Sequence, residues 1–230
     1  VKITSPYAYP KLERTTLADG NRFYLCPETG QPLPSVTTII SNTADKSGLN
    51  EWIKRVGTEQ AELIRDQSAA MGTIMHTHLE NYIQEIPRPG GTNLIYKMAK
   101  KMADNIIENG LSKVDEVWGI ETPLYFPGAY AGTCDLVGTY KGKPAIMDYK
   151  NARSKRKLTD ESMVVDYMAQ LCAYATAHNV MFGTNIECGV IFMSSREYEY
   201  AEYVIEGDKF KHYQHDFLTR LEKYLAANPV

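Results

Sequence analysis

Cysteine is scarce and unpatterned. Cys26, Cys134, Cys172 and Cys188 are scattered through 230 residues without a CxxC spacing, which argues against a zinc site and gives no disulfide framework. They read as reduced, small core residues of a cytosol-like compartment. Long apolar runs are missing too, so no membrane-spanning helix is expected. No charged-then-apolar leader marks secretion, although a chain starting at Val1 is compatible with a processed start. Nor is there an excess of positive charge: 25 Lys and Arg against 28 Asp and Glu leave −3. Nucleic acid would therefore have to be held by local clusters and a metal rather than by overall charge.

What is present has the proportions of an ordinary globular protein, 43% apolar and 23% charged. One domain over 1–230 is expected, with an extended segment over 1–48 that contains a short hairpin, and a core over 49–230. Pro6, Pro10, Pro27, Pro32 and Pro34 make the entry turn-rich. Ser35 or Thr37 would then cap a helix start. Apolar spacing predicts helices over about 49–66, 68–86, 93–109, 159–182 and 210–226. The second carries Met75, Leu79, Tyr82 and Ile86 as its core stripe, with His76 and Glu80 together beside it. Strands are expected over about 113–126, 185–194 and 198–206.

The stretch from Gly128 to Lys157 reads as two strands joined at Lys141-Gly142. A two-residue turn sets Tyr140 opposite Lys143 and, counting outward, Asp135 opposite Asp148 as a non-hydrogen-bonded pair, with Cα atoms about 4.5 Å apart. A three-residue turn with Gly142 left-handed would shift that register by one. Like charges directly opposite are destabilising. A cation between the two carboxylates removes the conflict, and hard oxygen ligands suit Mg²⁺ or Mn²⁺. Lys150 projects from the same face as Asp148. From Lys150 the run Arg153, Lys155, Arg156, Lys157 follows without an acid. In a chain that is acidic overall, this run suits phosphate binding.

Gly132-Thr133-Cys134-Asp135 followed by Asp148-Tyr149-Lys150 resembles the PD-(D/E)XK nuclease superfamily, in particular its RecB-like branch. Gly72-Thr73 before His76, Gln170 with Tyr174 four residues on, and Pro34-Ser35-Val36-Thr37 fit the same branch and its mitochondrial and phage exonucleases. The resemblance implies an α/β fold, a mixed central β-sheet flanked by helices. It implies metal ligation by Asp135, Asp148, the Tyr149 carbonyl and His76, with Glu80 orienting His76. Lys150 would act at the phosphate, Gln170 would position substrate or a catalytic side chain, and Tyr174 would contact phosphate or pack behind it. Ser35 and Thr37 would bring hydroxyls near DNA. Glu121 stands where the family also has a glutamate, without an assigned role. Asn151 departs from the Thr or Ser common after the motif lysine. The cysteine spacing cannot reproduce the iron–sulfur cluster of some relatives, so none is expected. The implied activity is a Mg²⁺-dependent exonuclease on single-stranded DNA, of phage type and working in a host cytoplasm, with the mitochondrial matrix as the second choice. A structure-selective endonuclease and a binding module with vestigial chemistry are the alternatives.

Overall fold

A computed structural model describes residues 1–229, except for the side chains of Arg156 and Lys157. The chain opens with β1 (Lys2–Ile3), β2 (Arg14–Thr16), β3 (Arg22–Leu25) and β4 (Pro32–Pro34). Helices α1 (Val36–Thr43), α2 (Ser47–Val56), α3 (Thr58–Ile83) and α4 (Leu94–Asn109) follow. Next come β5 (Val114–Phe126), β6 (Tyr130–Tyr140), β7 (Lys143–Ala152), α5 (Lys155–Thr159) and α6 (Val165–Phe182). The chain closes with β8 (Cys188–Ser195), β9 (Tyr200–Glu206) and α7 (Gly207–Ala227).

Six strands form one mixed sheet in the order β1-β5-β6-β7-β8-β9, with β1 and β8 parallel to their inner neighbours. The expected α/β architecture is what the chain adopts. Helices α3 and α4 cover one face through Met71, Met75, Leu79, Met102 and Ile106. Helices α1, α6 and α7 cover the other through Ile39, Leu171, Phe217 and Leu221. The parallel step from β7 to β8 requires a crossover, and α6 supplies it. A separate three-stranded sheet, β2-β3-β4, packs onto β6 through Tyr24, Leu33 and Ala131. Among the described residues no helix is long and apolar enough to cross a membrane.

Two expectations about helices change. The segments predicted over 49–66 and 68–86 break at Gly57, where φ is +88°, and the remainder is one 26-residue helix. No breaker separates Asp66 from Ser68, and the Ser68 hydroxyl folds back onto the Ile64 carbonyl at 2.8 Å, so the helix runs through. The buried stripe is accordingly Met71, Met75, His78, Leu79 and Ile83, while Tyr82 and Ile86 are exposed.

Candidate active site

The β6–β7 hairpin has the two-residue turn, with Lys141 and Gly142 both left-handed at φ 48° and 77°. Tyr140 pairs with Lys143, and the ladder holds out to Leu136 and Met147. The next step outward carries Asp135 and Asp148. There the strands stop exchanging backbone hydrogen bonds, and the Tyr149 N–H donates to Asp135 Oδ2 instead, at 3.0 Å. On the other side of β6, Ile120 pairs with Leu136 and Thr122 with Cys134, which sets Glu121 level with Asp135. Glu121 is left-handed at φ 47° within its strand, a conformation that a non-glycine residue adopts at a cost. Three carboxylates, Glu121, Asp135 and Asp148, therefore stand at one level of three adjacent strands.

Helix α3 closes over this row. Its His76 ring is 2.9 Å from the Tyr149 carbonyl through Nε2 and 3.6 Å from Asp135 Oδ2 through Nδ1. The close approach rests on Gly72, where a Cβ would lie 2.8 Å from Asn151 Nδ2. Asn151 in turn donates to the Ser68 carbonyl at 2.9 Å, so the residue that departs from the family pattern ties β7 to α3. From the opposite side, Tyr174 of α6 packs over Gly132, where a Cβ would meet its ring at 2.7 Å. Gln170 Nε2 donates to the Tyr174 hydroxyl at 3.2 Å.

Ser35, Thr37, His76, Glu80, Asp135, Asp148, Lys150, Gln170 and Tyr174 share one polar cleft, together with Arg14, Arg22 and Glu121. Ser35 caps α1, accepting from the Thr38 N–H at 3.0 Å, and still lines the cleft. The His76 ring is held at the Tyr149 carbonyl, and Glu80, expected to orient it, lines the same cleft. The side chain of Tyr149 is buried, away from the cleft. Of the basic run, the described side chains are not brought into the cleft. Lys155 pairs with Glu199 at 3.1 Å, and Arg153 does not line the cleft. The expectations for the Arg156 and Lys157 side chains lie outside the described residues.

The electrostatics are those of crowded carboxylates. Burial and the charge of Asp135 push Asp148 up to about 7, even though Lys150 sits 2.5 Å away. Apart from that ion pair, the buried Asp148 Oδ2 has no partner. Loss of solvent around its carboxyl, then Asp135, Glu80 and Asp148, push Glu121 up to about 8. Burial opposes the Lys150 charge, but Asp148 and Asp135 outweigh it and hold the ammonium above its ordinary range. Lys150 Nζ also lies 4.8 Å from the centre of the Tyr167 ring. Burial and then Lys150 hold the His76 imidazole down, in its neutral form.

His76, Glu121 and Asp135 each present a ligand atom within 4.8 Å of the others. Two carboxylates, an imidazole and the nearby Asp148 carboxylate fit a hard divalent cation. This cluster shares His76 and Asp135 with the expected ligand set and adds Glu121. Sequence reasoning also missed Arg14 and Arg22.

Fold and site together are those of an α/β domain with a row of carboxylates in a polar cleft. No family model matches the chain. It is 23% identical over 205 residues to human mitochondrial genome maintenance exonuclease 1, covering 84% of this chain and 58% of that protein. The mouse protein of the same name is 25% identical over 122 residues, 51% of this chain and 36% of the relative. The chain thus spans about half the length of the curated relatives it matches. Among solved structures, a provisionally named exonuclease of Eubacterium rectale superposes with a TM-score of 0.52 at 14% identity, over 70% of this chain and 65% of that one. That likeness shows the fold.

Proposed function

We propose that this chain is the catalytic domain of a divalent-metal-dependent exonuclease that hydrolyses single-stranded DNA. The observation that carries the reading is the row of Glu121, Asp135 and Asp148 with Lys150 on the same face as Asp148, in a cleft closed by His76. Two proteins named as exonucleases among the sequence relatives support it. Mg²⁺ or Mn²⁺ held by Asp135, Glu121 and His76, with Asp148 beside them, would lower the pKa of water and neutralise charge on the phosphate.

The chain's own residues do the rest. Lys150 stays protonated beside Asp148 and places positive charge where it grows on the phosphate oxygens. His76, fixed by the Tyr149 carbonyl, keeps its Nδ1 directed at the carboxylate row. Gln170 and Tyr174 form the far wall and hold each other in place, which restricts where a nucleotide rests.

End-labelled linear and circular single-stranded DNA, digested with Mg²⁺ and with chelator, test the reading against Lys150→Ala. Metal-dependent loss of the linear substrate alone, absent in the variant, is the expected result. Cleavage of circles replaces the exonuclease with an endonuclease. If neither form is cut, the catalytic reading falls.

A further inference from the structure

The two arginines of the N-terminal sheet were not anticipated and have no part in the chemistry above. Arg14 pairs with Tyr24 and Arg22 with Thr16 across β2 and β3. Residues directly opposite share a face, and alternate residues of a strand do too, so Arg14, Thr16, Arg22 and Tyr24 form one surface. That surface is a wall of the cleft, with Arg14, Arg22 and Tyr24 all lining it.

The wall is braced against the metal-binding row. The Tyr24 hydroxyl lies 3.3 Å from Thr133 Oγ1, and Thr133 precedes Asp135 by two residues on the same face of β6. The Arg22 N–H donates to Thr38 Oγ1 at 2.8 Å, and its carbonyl accepts from the Ser35 N–H at 2.8 Å. The backbone of Arg22 is therefore bonded to the capping residues of α1. Both guanidinium-bearing residues are exposed, and among the described residues neither makes an ion pair.

Another part of the cleft lining carries acids and no base. Glu80 and Glu121 also line a shallow groove that continues past Ser5, Gln84, Gly119 and Ile120, and that groove contains no Lys or Arg. A polyanion extending from the carboxylate row finds no base along that groove, whereas Arg14 and Arg22 of the cleft lining are without an ion pair among the described residues.

We propose that Arg14 and Arg22 bind backbone phosphates of the DNA strand that stays attached to the enzyme, so that the polymer lies over β2–β3 and the cut end points toward Glu80 and Glu121. The inference rests on the nuclease reading and adds the direction in which the strand leaves the site. Both residues position the strand and neither touches the reacting phosphate. Each phosphate contact to a single strand contributes about 0.7 to the slope of log K against log salt, so two contribute roughly 1.4. That corresponds to about 25-fold in affinity between 1 M and 0.1 M salt.

The test is fluorescence anisotropy of a labelled oligothymidylate in chelator over a range of salt, with single-turnover cleavage in Mg²⁺ as the second readout. For Arg14→Gln/Arg22→Gln the expected result is a slope shallower by about 1.4, with the cleavage rate at saturating DNA within about twofold of wild type. Arg14→Lys/Arg22→Lys keeps the charge and should restore the slope. Lys211→Gln/Lys223→Gln, which removes two exposed charges from α7, controls for net charge. An unchanged slope in the double Gln variant, or an equal change in the α7 control, overturns the proposal while wild-type cleavage leaves the nuclease reading standing. Wild-type protein that neither binds nor cuts DNA overturns both.

Discussion

Asp148→Asn should yield a protein that is inactive yet harder to unfold. Asp148 is buried beside Asp135, and its folded pKa rises from an ordinary 3.8 to about 7. The folded state therefore keeps a proton that the unfolded state releases between those values, and stability is lost as pH climbs from 3.8 through 7. At about 1.4 kcal/mol per pH unit, the penalty at pH 8 is roughly 4 kcal/mol. Asparagine removes it and still offers Lys150 an oxygen to bond, but it gives up the charge that holds the buried Lys150 ammonium, which returns part of the gain. In a domain of this size, 1 kcal/mol moves the midpoint by about 2–4 °C, so the variant should melt on the order of a few degrees higher in chelator at pH 8. The advantage should shrink as pH falls toward 4, where Asp148 keeps its proton in the folded state and about half of it in the unfolded state. Thermal melts of the two proteins from pH 4 to 8, with and without Mg²⁺, measure this directly. Added metal should raise the wild-type midpoint and close the gap, because a ligand that binds only the folded state stabilises it. A variant that melts no higher than wild type in chelator at pH 8 would refute the argument that the carboxylates are strained against one another.

Gly72→Ala places a methyl group 2.8 Å from Asn151 Nδ2 and should cost about 1–3 kcal/mol in urea denaturation. Asn151→Ala should recover part of that loss in the double variant, and strict additivity would show that the two residues do not touch. Gly132→Ala pushes on the Tyr174 ring at 2.7 Å, so it should lower both stability and cleavage more than Tyr174→Phe, which keeps the ring and loses only the bond from Gln170. His178 is buried between the Tyr9 hydroxyl at 3.1 Å and Thr184 Oγ1 at 2.8 Å, and burial lowers it to about 4. Its neutral form is favoured on folding, so stability present above pH 6.5 is lost as pH falls toward 4, by up to about 3 kcal/mol. His178→Phe should flatten that part of the stability profile, and an unchanged pH slope would exclude His178 as its source.

How far the site could be read from sequence depended on distance along the chain. Asp135 and Asp148 could be matched because both are counted from one tight turn, and a two-residue turn fixes the register. Glu121 could not be matched in the same way. Its level is set by the β5–β6 ladder, which runs unshifted from Phe126 and Tyr130 to Ile120 and Leu136 but is joined by Pro127-Gly128-Ala129, a three-residue connection that does not declare its register as a two-residue turn does. Arg14 and Arg22 lie on strands of three and four residues in a proline-rich segment, too short to show an alternation. Lys155 of the basic run finds Glu199, just before β9, a partner visible only once β8 and β9 have folded back beside β7. The unbroken α3 was missed because amphipathic spacing was taken as two faces, whereas its N-terminal half projects beyond the core with only Ala61 buried before Met71.

The carboxylate row spans three neighbouring strands, so its spacing is set by the strand separation of a β-sheet, about 4.8 Å per step. The hairpin turn that fixes one of those steps lies five residues away at the far end of β6 and β7. Lys141 and Gly142 can therefore be exchanged for other residues that accept a left-handed turn, such as Asn-Gly, without any atom of the cleft moving. Adding a single residue between them is a different matter. It would slide one strand past the other, turn Asp148 to the opposite face of the sheet and bring Met147 into the cleft, dismantling the row without altering one residue of it.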